Sequence, residues 1–172
     1  LMAAADSGVL TEPEDIERLA LCAQLTGRQE LAEAHWARAH ECFVDRGDIR
    51  GAVRCAFWLG LVLIVGRGVE ARGGAWIGRA RRLLDESGPR DCPEWGYVLL
   101  PDALRTLDGD QPDLAYVAFG EAVAIGQRWA DEDLMTLGRL GQGQASLRLG
   151  EPDRGVALLD EAAELLGDSE AV

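Results

Sequence analysis

Apolar residues recur along most of the chain at the three- and four-residue spacing of one-sided helices. Ile16, Leu19, Ala20 and Ala23 form one such set, and Ala32, Trp36, Ala39 and Phe43 form the next. Val53, Ala56, Phe57, Gly60, Leu63 and Ile64 follow, then Trp76, Ala80, Leu83 and Leu84. The second half repeats the alternation with Leu100, Ala103, Leu104 and Leu107, and with Ala115, Ala118, Phe119 and Ala122. Leu140, Gly143 and Leu147, then Val156, Leu159, Ala163 and Leu166, complete it. No segment sustains the alternation of a strand. The apolar run Leu59 to Val65 could hide one, but its flanks keep helical spacing, so it reads as a buried helix end.

Glycines punctuate these stripes. Gly27, Gly68, Gly109 and Gly150 are 41 residues apart (68 − 27, 109 − 68, 150 − 109). A fixed period of this length points to a repeat architecture. Gly27 and Gly150 suit the left-handed position that ends a helix. Gly109-Asp110-Gln111-Pro112 and Gly150-Glu151-Pro152 each read as a tight turn before a Pro-started helix. Thr11-Glu12-Pro13-Glu14 has capping-box spacing. The pattern predicts four antiparallel helix pairs: 13–26 with 29–46, 49–65 with 70–87, 93–108 with 112–130, and 132–149 with 152–166. The expected organisation is a flexible segment over 1–11, a helical-repeat domain over 12–167 and a tail over 168–172.

Composition narrows the partners. Net charge is −13, from 17 basic and 30 acidic residues, and every basic residue is Arg. Such a segment repels phosphate backbones and anionic membranes, so nucleic acid and membrane partners are not expected through it. The longest apolar run is too short for a membrane span, and the first residues do not form a signal peptide. Cys22, Cys42 and Cys55 fall inside helical patterns and read as small buried hydrophobes. With Cys92 they form neither a CxxC pair nor a disulfide framework, which suits a reducing cytoplasm.

The helix pairs resemble the tetratricopeptide repeat, whose second helix carries Ala-x3-Phe-x2-Ala. Ala32-x3-Trp36-x2-Ala39 and Ala115-x3-Phe119-x2-Ala122 match that pattern, and Gly60 and Gly143 stand at the close-crossing station of the first helix. Three features depart from it. The period of 41 exceeds the ~34 of the standard repeat. Gly73-Gly74-Ala75-Trp76 is one residue out of register. The last repeat has Gly155 for Ala and Leu159 for the aromatic. Arg54-Cys55-Ala56-Phe57-Trp58-Leu59-Gly60 and Gly138-Arg139-Leu140-Gly141-Gln142-Gly143-Gln144-Ala145 further resemble the helical regulatory regions of large LuxR-type bacterial transcription regulators of the MalT-like kind. The resemblance covers about residues 12 to 166. It implies an all-α, right-handed solenoid of about four helix pairs, serving as a sensing or interaction module. The helix-turn-helix of such regulators is not among these residues.

Candidate chemistry is sparse. Gly66-Arg67-Gly68-Val69-Glu70-Ala71 matches the outline of a dinucleotide fingerprint, but no βαβ alternation surrounds it, and it reads as an interhelical turn. His35 and His40 lie five apart and do not share a helix face. They read as half-exposed helix residues, and no metal or cofactor is expected. No Gly-x-Ser-x-Gly is present, and Asp131-Glu132-Asp133 reads as the acidic start of a helix. No catalytic residue is assigned. Trp36 and Trp76 read as interhelix packing, and core packing is the favoured reading for Trp58 and Trp95 too. Partial exposure is the alternative for these two, because Trp58 flanks the Phe57 stripe and Trp95 opens a helix.

The resemblance implies that first helices line a concave groove. It makes Arg54, Tyr97, Arg105, Arg139, Gln144 and Arg148 the contact candidates for a protein or peptide partner or a small effector. The alternative is a stand-alone scaffold. The last helix, Val156 to Leu166, keeps an apolar face, so either further chain covers it or the terminal pair forms a homodimer. The absence of Met at position 1 likewise suggests a longer native protein.

Overall fold

The computed structural model describes residues 12–89 and 91–169. Among them are eight α-helices and no strand. They are α1 (Pro13–Leu25), α2 (Gln29–Asp45), α3 (Ile49–Leu61), α4 (Glu70–Ser87), α5 (Glu94–Asp108), α6 (Pro112–Trp129), α7 (Glu132–Arg148) and α8 (Pro152–Ser169). The fold is all-α, and each helix falls where the apolar periodicity puts it. The expected capping-box residue Thr11 and the 1–11 segment lie outside the described residues, as do residues 170–172 of the expected tail. Helix α8 runs on to Ser169 instead of stopping at 166. The chain divides into two compact units, with α1 to α4 in the first and α5 to α8 in the second.

The turns explain the glycine spacing. The residues with positive φ are Gly27, Gly47, Gly68, Asp110, Ala130 and Gly150. After each one, the next residue reaches back to cap the helix it leaves. The N–H groups of Arg28, Asp48, Gln111, Asp131 and Glu151 donate to the carbonyls of Ala23, Phe43, Thr106, Gly126 and Ser146, at 2.8–3.2 Å. This five-residue return is the Schellman closure, which satisfies orphan carbonyls at a helix end. Gly27 and Gly150 take the expected left-handed position, and the third station differs. Gly109 has an ordinary φ of −76°, and the left-handed position belongs to Asp110. The short polar Asp side chain tolerates that conformation.

The turn after α3 differs. Val69 donates to Leu63, six residues back, at 2.8 Å. The reason lies just upstream, where Val62–Gly66 forms a π-helical turn. A π turn holds one extra residue within an α-helix. It also accounts for the register slip read in the sequence. Small residues recur across the helix pairs at Ala20 and Ala32, Ala103 and Ala115, and Gly143 and Gly155, each twelve apart. In the second pair they are Gly60 and Gly73, thirteen apart. The extra residue is absorbed in the π turn, and the crossing itself is kept.

The crossings are tight. A Cβ on Gly60 would sit 3.0 Å from the Gly73 carbonyl oxygen and 2.6 Å from Ile77 Cδ1. A Cβ on Gly143 would sit 3.1 Å from the Gly155 carbonyl oxygen and 2.8 Å from Leu159 Cγ. Because Gly73 holds the crossing, Ile77 fills the place that Trp36 fills in the first pair, and Trp76 turns out to a half-buried position.

In the first unit, Ile16, Ala20 and Ala23 of α1 pack with Trp36, Ala39 and Phe43 of α2 and with Cys55, Leu59 and Leu63 on the third helix. Cys55 and Cys92 are buried and Cys42 half-buried, whereas Cys22 is exposed, contrary to its reading as a core residue. It lies beside Leu21 on the outer face of α1. Segment Ile49–Gly66 is long and apolar enough to cross a membrane by length and composition. More than half of it is buried inside the protein, where Val53, Phe57, Leu59 and Leu63 are sealed from solvent.

The second unit is built around α7, with α6 and α8 on either side of it. Two stripes are corrected there. On α7, Leu134, Gly138, Gly141, Gln142 and Ala145 face inward, while Leu147 is exposed and Leu140 half-buried. On α8 the inward residues are Gly155, Leu158 and Ala162, one position away from the expected Val156 and Ala163, which are exposed. Leu158 and Ala162 are buried, whereas the expected face stays exposed at Val156 and Ala163.

Candidate functional site

The expected groove residues are mostly occupied within the protein. Arg54 of α3 forms a bidentate pair with Glu17 of α1, Nε to Oε1 at 2.6 Å and Nη2 to Oε2 at 2.8 Å. Arg148 of α7 donates to the Leu107 carbonyl and reaches Asp108 Oδ1 at 3.3 Å. It thereby caps the C-terminus of α5, where a cation complements the helix dipole. Arg139 is shared between Gln142 at 3.0 Å and Glu161 at 3.1 Å. Arg105 pairs with Asp102 one turn away.

Tyr97 is only 4% exposed. Its hydroxyl donates to Asp131 Oδ1 at 2.7 Å, and the same oxygen accepts the Leu134 N–H as the N-cap of α7. Burial and the Asp131 carboxylate together push the Tyr97 hydroxyl far above the usual tyrosine range. It acts as a fixed donor, not as a contact surface. Gln144 is exposed. The structure therefore divides the six between two units and turns four of the five non-glutamine residues into ties between helices, with Arg105 tied within its own.

The dinucleotide outline has no strand before it. Gly66 ends the π turn, and Gly68 takes the left-handed turn position with φ 65°. Among the described residues, no group of three His, Cys, Asp or Glu side chains could hold a metal ion.

A cleft not anticipated from the sequence lies in the first unit. Helices α2 and α4 both pack on α3, leaving a furrow between them. At its N-terminal end Glu33 of α2 is bridged by Arg67, at 2.9 Å, and by Arg72 of α4. At its C-terminal end the furrow opens into a cavity of about 380 Å³ lined by His40, Glu41, Val44, Asp45, Arg79, Arg82, Leu83 and Glu86. A smaller hollow beside it is lined by Ala75, Trp76, Arg79 and Arg82.

His40 forms the inner wall. It is 3% exposed, not half-exposed as the sequence suggests. Its Nδ1 lies 2.8 Å from the Ala52 carbonyl, and its ring stands edge-on to Trp76 with centroids 5.2 Å apart. A carbonyl only accepts, so Nδ1 carries the proton and the neutral ring leaves Nε2 as an acceptor. Burial holds the His40 pKa below its ordinary value, and nearby Arg79 adds to this. The Arg79 guanidinium lies 4.6 Å from the centre of the Trp76 ring. Helix periodicity carried no sign of this cleft. The only available signal was that His40 follows Trp36 and precedes Phe43 on a stripe otherwise filled by Ala39.

Compared with known proteins, the chain matches no family model, no curated protein and no solved structure.

Proposed function

We propose that this chain is a non-enzymatic interaction or effector-sensing module of tetratricopeptide-like helix pairs, stacked as a right-handed solenoid. In this reading it works in the cytoplasm as the regulatory part of a LuxR-type transcription regulator whose DNA-binding domain lies outside these residues. The observation that carries the reading is the recurring crossing of small residues, at Ala20/Ala32, Gly60/Gly73, Ala103/Ala115 and Gly143/Gly155. Turn residues in the left-handed conformation stand between successive helices. Small residues allow close backbone approach, and large neighbours fill the space beside them. Such pairs cannot bury both faces alone, so they stack and leave long surfaces for partners.

The ties made by Arg54 and Arg148 add to the reading. Each joins consecutive first helices within its unit, so a ligand that broke one would alter how the helices lie. Gln144 and Arg105 are the exposed first-helix residues left for contact.

The test is the native gene beyond codon 172. A helix-turn-helix encoded downstream, in a protein that binds DNA through it, is the expected result. An intact gene closing without one removes the regulator reading and leaves a stand-alone scaffold. Small-angle scattering of this chain tests the stacking separately, since a solenoid gives a longer maximum dimension than a closed bundle of equal mass.

A further inference from the structure

Two helices of this protein are apolar on nearly every side, α3 and α6. A helix of that kind belongs in an interior. Helix α3 obeys the rule: from Gly51 to Leu61 it is buried except at Arg54, Trp58 and Leu61, which are half-buried. Helix α6 does not. Its 18 residues include only three charges, Asp113, Glu121 and Arg128, yet the protein covers one side of it. Ala115, Phe119, Ala122, Val123 and Gly126 are buried. Opposite them Leu114, Val117, Ala118, Glu121, Ala124 and Ile125 follow one another at the spacing of a single helix face. Leu114 is 56% exposed and Val117 59%, and Trp129 at the end of the stripe is 41% exposed.

Monomeric proteins rarely leave so long an apolar stripe open. Exposed apolar residues elsewhere do not form one. Leu21 and Leu25 are a pair one turn apart beside Arg18, and Leu147, Leu149 and Val156 are spread around a turn. The outward side of α8, where the sequence suggests a homodimer, exposes Asp160, Glu161 and Glu164 beside Val156 and Ala163. Two copies meeting there would set acid against acid.

The charges of α6 select its occupant. Asp110 and Asp113 are exposed where the helix begins, and Arg128 is exposed where it ends. A helix that is acidic at its start and basic at its end complements a second copy lying antiparallel to it, and the helix dipoles favour the same arrangement. A parallel copy would set Glu121 against the partner's Glu121 and Arg128 against the partner's Arg128. Within its own chain Arg128 pairs with Asp91, but both side chains are open to solvent. Such a pair is weak, and a guanidinium has donors enough for a second carboxylate.

We propose that this chain forms a two-fold dimer in which α6 lies antiparallel to α6 of a second copy. The axis crosses the stripe between Ala118 and Glu121. Leu114 then packs on the partner's Ala124, Val117 lies along the methylenes of the partner's Glu121, and Arg128 reaches the partner's Asp113. The proposal stands on the second unit alone and does not depend on the regulator reading.

The experiment is sedimentation velocity of the full chain over a range of concentrations. One helix laid on one helix makes an interface at the small end of the specific range, so a dimer should form at about 10–200 µM chain and dissociate on dilution. Val117→Glu and Leu114→Gln change exposed positions, so each should leave the melting temperature of the dilute protein unchanged. Each should weaken association by about tenfold or more, as should Arg128→Glu. Asp113→Arg added to Arg128→Glu restores the opposite charges across the seam and should recover most of the loss. Leu25→Gln, at an exposed apolar position of the first unit, should change nothing. A chain that stays monomeric at about 500 µM overturns the proposal. So does a dimer that Val117→Glu and Leu114→Gln leave intact, one that Leu25→Gln weakens as much, or one in which Asp113→Arg fails to rescue Arg128→Glu.

Discussion

The third helix of the first unit and the third helix of the second make their cores by opposite means. In α3 and its π turn, Val53, Phe57, Leu59 and Leu63 are buried, and the helix supplies bulk to its neighbours. In α7 the large buried apolar residue is Leu134, and the rest of the inner face is Thr136, Gly138, Gly141, Gln142, Gly143, Ala145 and Ser146. That helix receives bulk. A Cβ on Gly138 would meet Val123 Cγ2 at 2.6 Å and the Phe119 carbonyl at 3.0 Å, and one on Gly141 would enter the Phe119 ring. Packing density is the same requirement in both cases. It is met by knobs on α3 and by a trough on α7.

The largest effect should come from removing a knob. Phe57 is fully buried, and Phe57→Ala should cost about 3–5 kcal/mol in urea unfolding, the usual range for a core aromatic. A loss under about 1 kcal/mol would mean that α3 is not the supplier described here. Filling the trough is the mirror experiment. Gly141→Ala should cost about 1–3 kcal/mol from overpacking against Phe119, despite the better helix propensity of Ala. Gly74, on the solvent side of α4 with open space around it, is the control. There the same change should stabilise by up to about 1 kcal/mol. Equal signs at the two sites would break the comparison.

The first unit alone has a buried histidine. By the twelve- and thirteen-residue crossings, His40 stands in its pair where Val123 stands in the third, and Val123 packs on Gly138. Burial lowers the His40 pKa, so the native state binds its proton less readily than the unfolded chain does. The stabilising contribution is therefore full above the ordinary histidine value of about 6.5 and is lost as pH falls through the lowered native value. His40→Gln removes the titration. Melting temperatures at about pH 7.5 and 5 should converge in the variant relative to the native protein. An unchanged pH difference would separate His40 from the acid sensitivity.

Helix existence was legible because the stripes of α1, α2, α3 and α5 are made of large residues, and a large residue announces its face. The stripes of α7 and α8 were misread for the physical reason just given. Periodicity counts side chains, and a trough has none. Leu147 stood in the expected stripe but is exposed, while Gly138 and Gly141, absent from that stripe, are the floor of the crossing. The extra residue of the second pair was visible as a slip at Gly73. Its accommodation was not, because a π turn has no composition of its own. The cleft was hidden for another reason. It depends on which charges find partners, and that is settled by helices from different parts of the chain.

The π turn offers a finer test of the same contrast. Val65 lies within it and is 69% exposed. Deleting it should return the second pair to a twelve-residue crossing and the turn to a five-residue return, at a stability change within about 1 kcal/mol. Deleting Leu147 from α7, whose crossing has no spare residue, should cost several times more, since it unseats the contact on Gly155. Comparable losses from the two deletions would mean that the π turn is needed for the packing of α3.

The smallest effect concerns the polar ties. Arg54 and Glu17 are linked by two short bonds between partly exposed side chains, at 36% and 17% of full side-chain exposure. Solvent screening limits such a pair to about 0.2–1 kcal/mol, with a bidentate geometry placing it toward the upper end. Arg148 is different, because its main partner is a helix-terminal carbonyl. That acceptor cannot rotate away, and its partial charge belongs to the end of α5. A double-mutant cycle of Arg54→Ala with Glu17→Ala should give a coupling that weakens between low salt and about 1 M. Arg148→Ala should lose stability with less dependence on salt, since part of its worth is a hydrogen bond to backbone. If both responses tracked ionic strength equally, Arg148 would be another ion pair, and the two units would hold their first helices by one means instead of two.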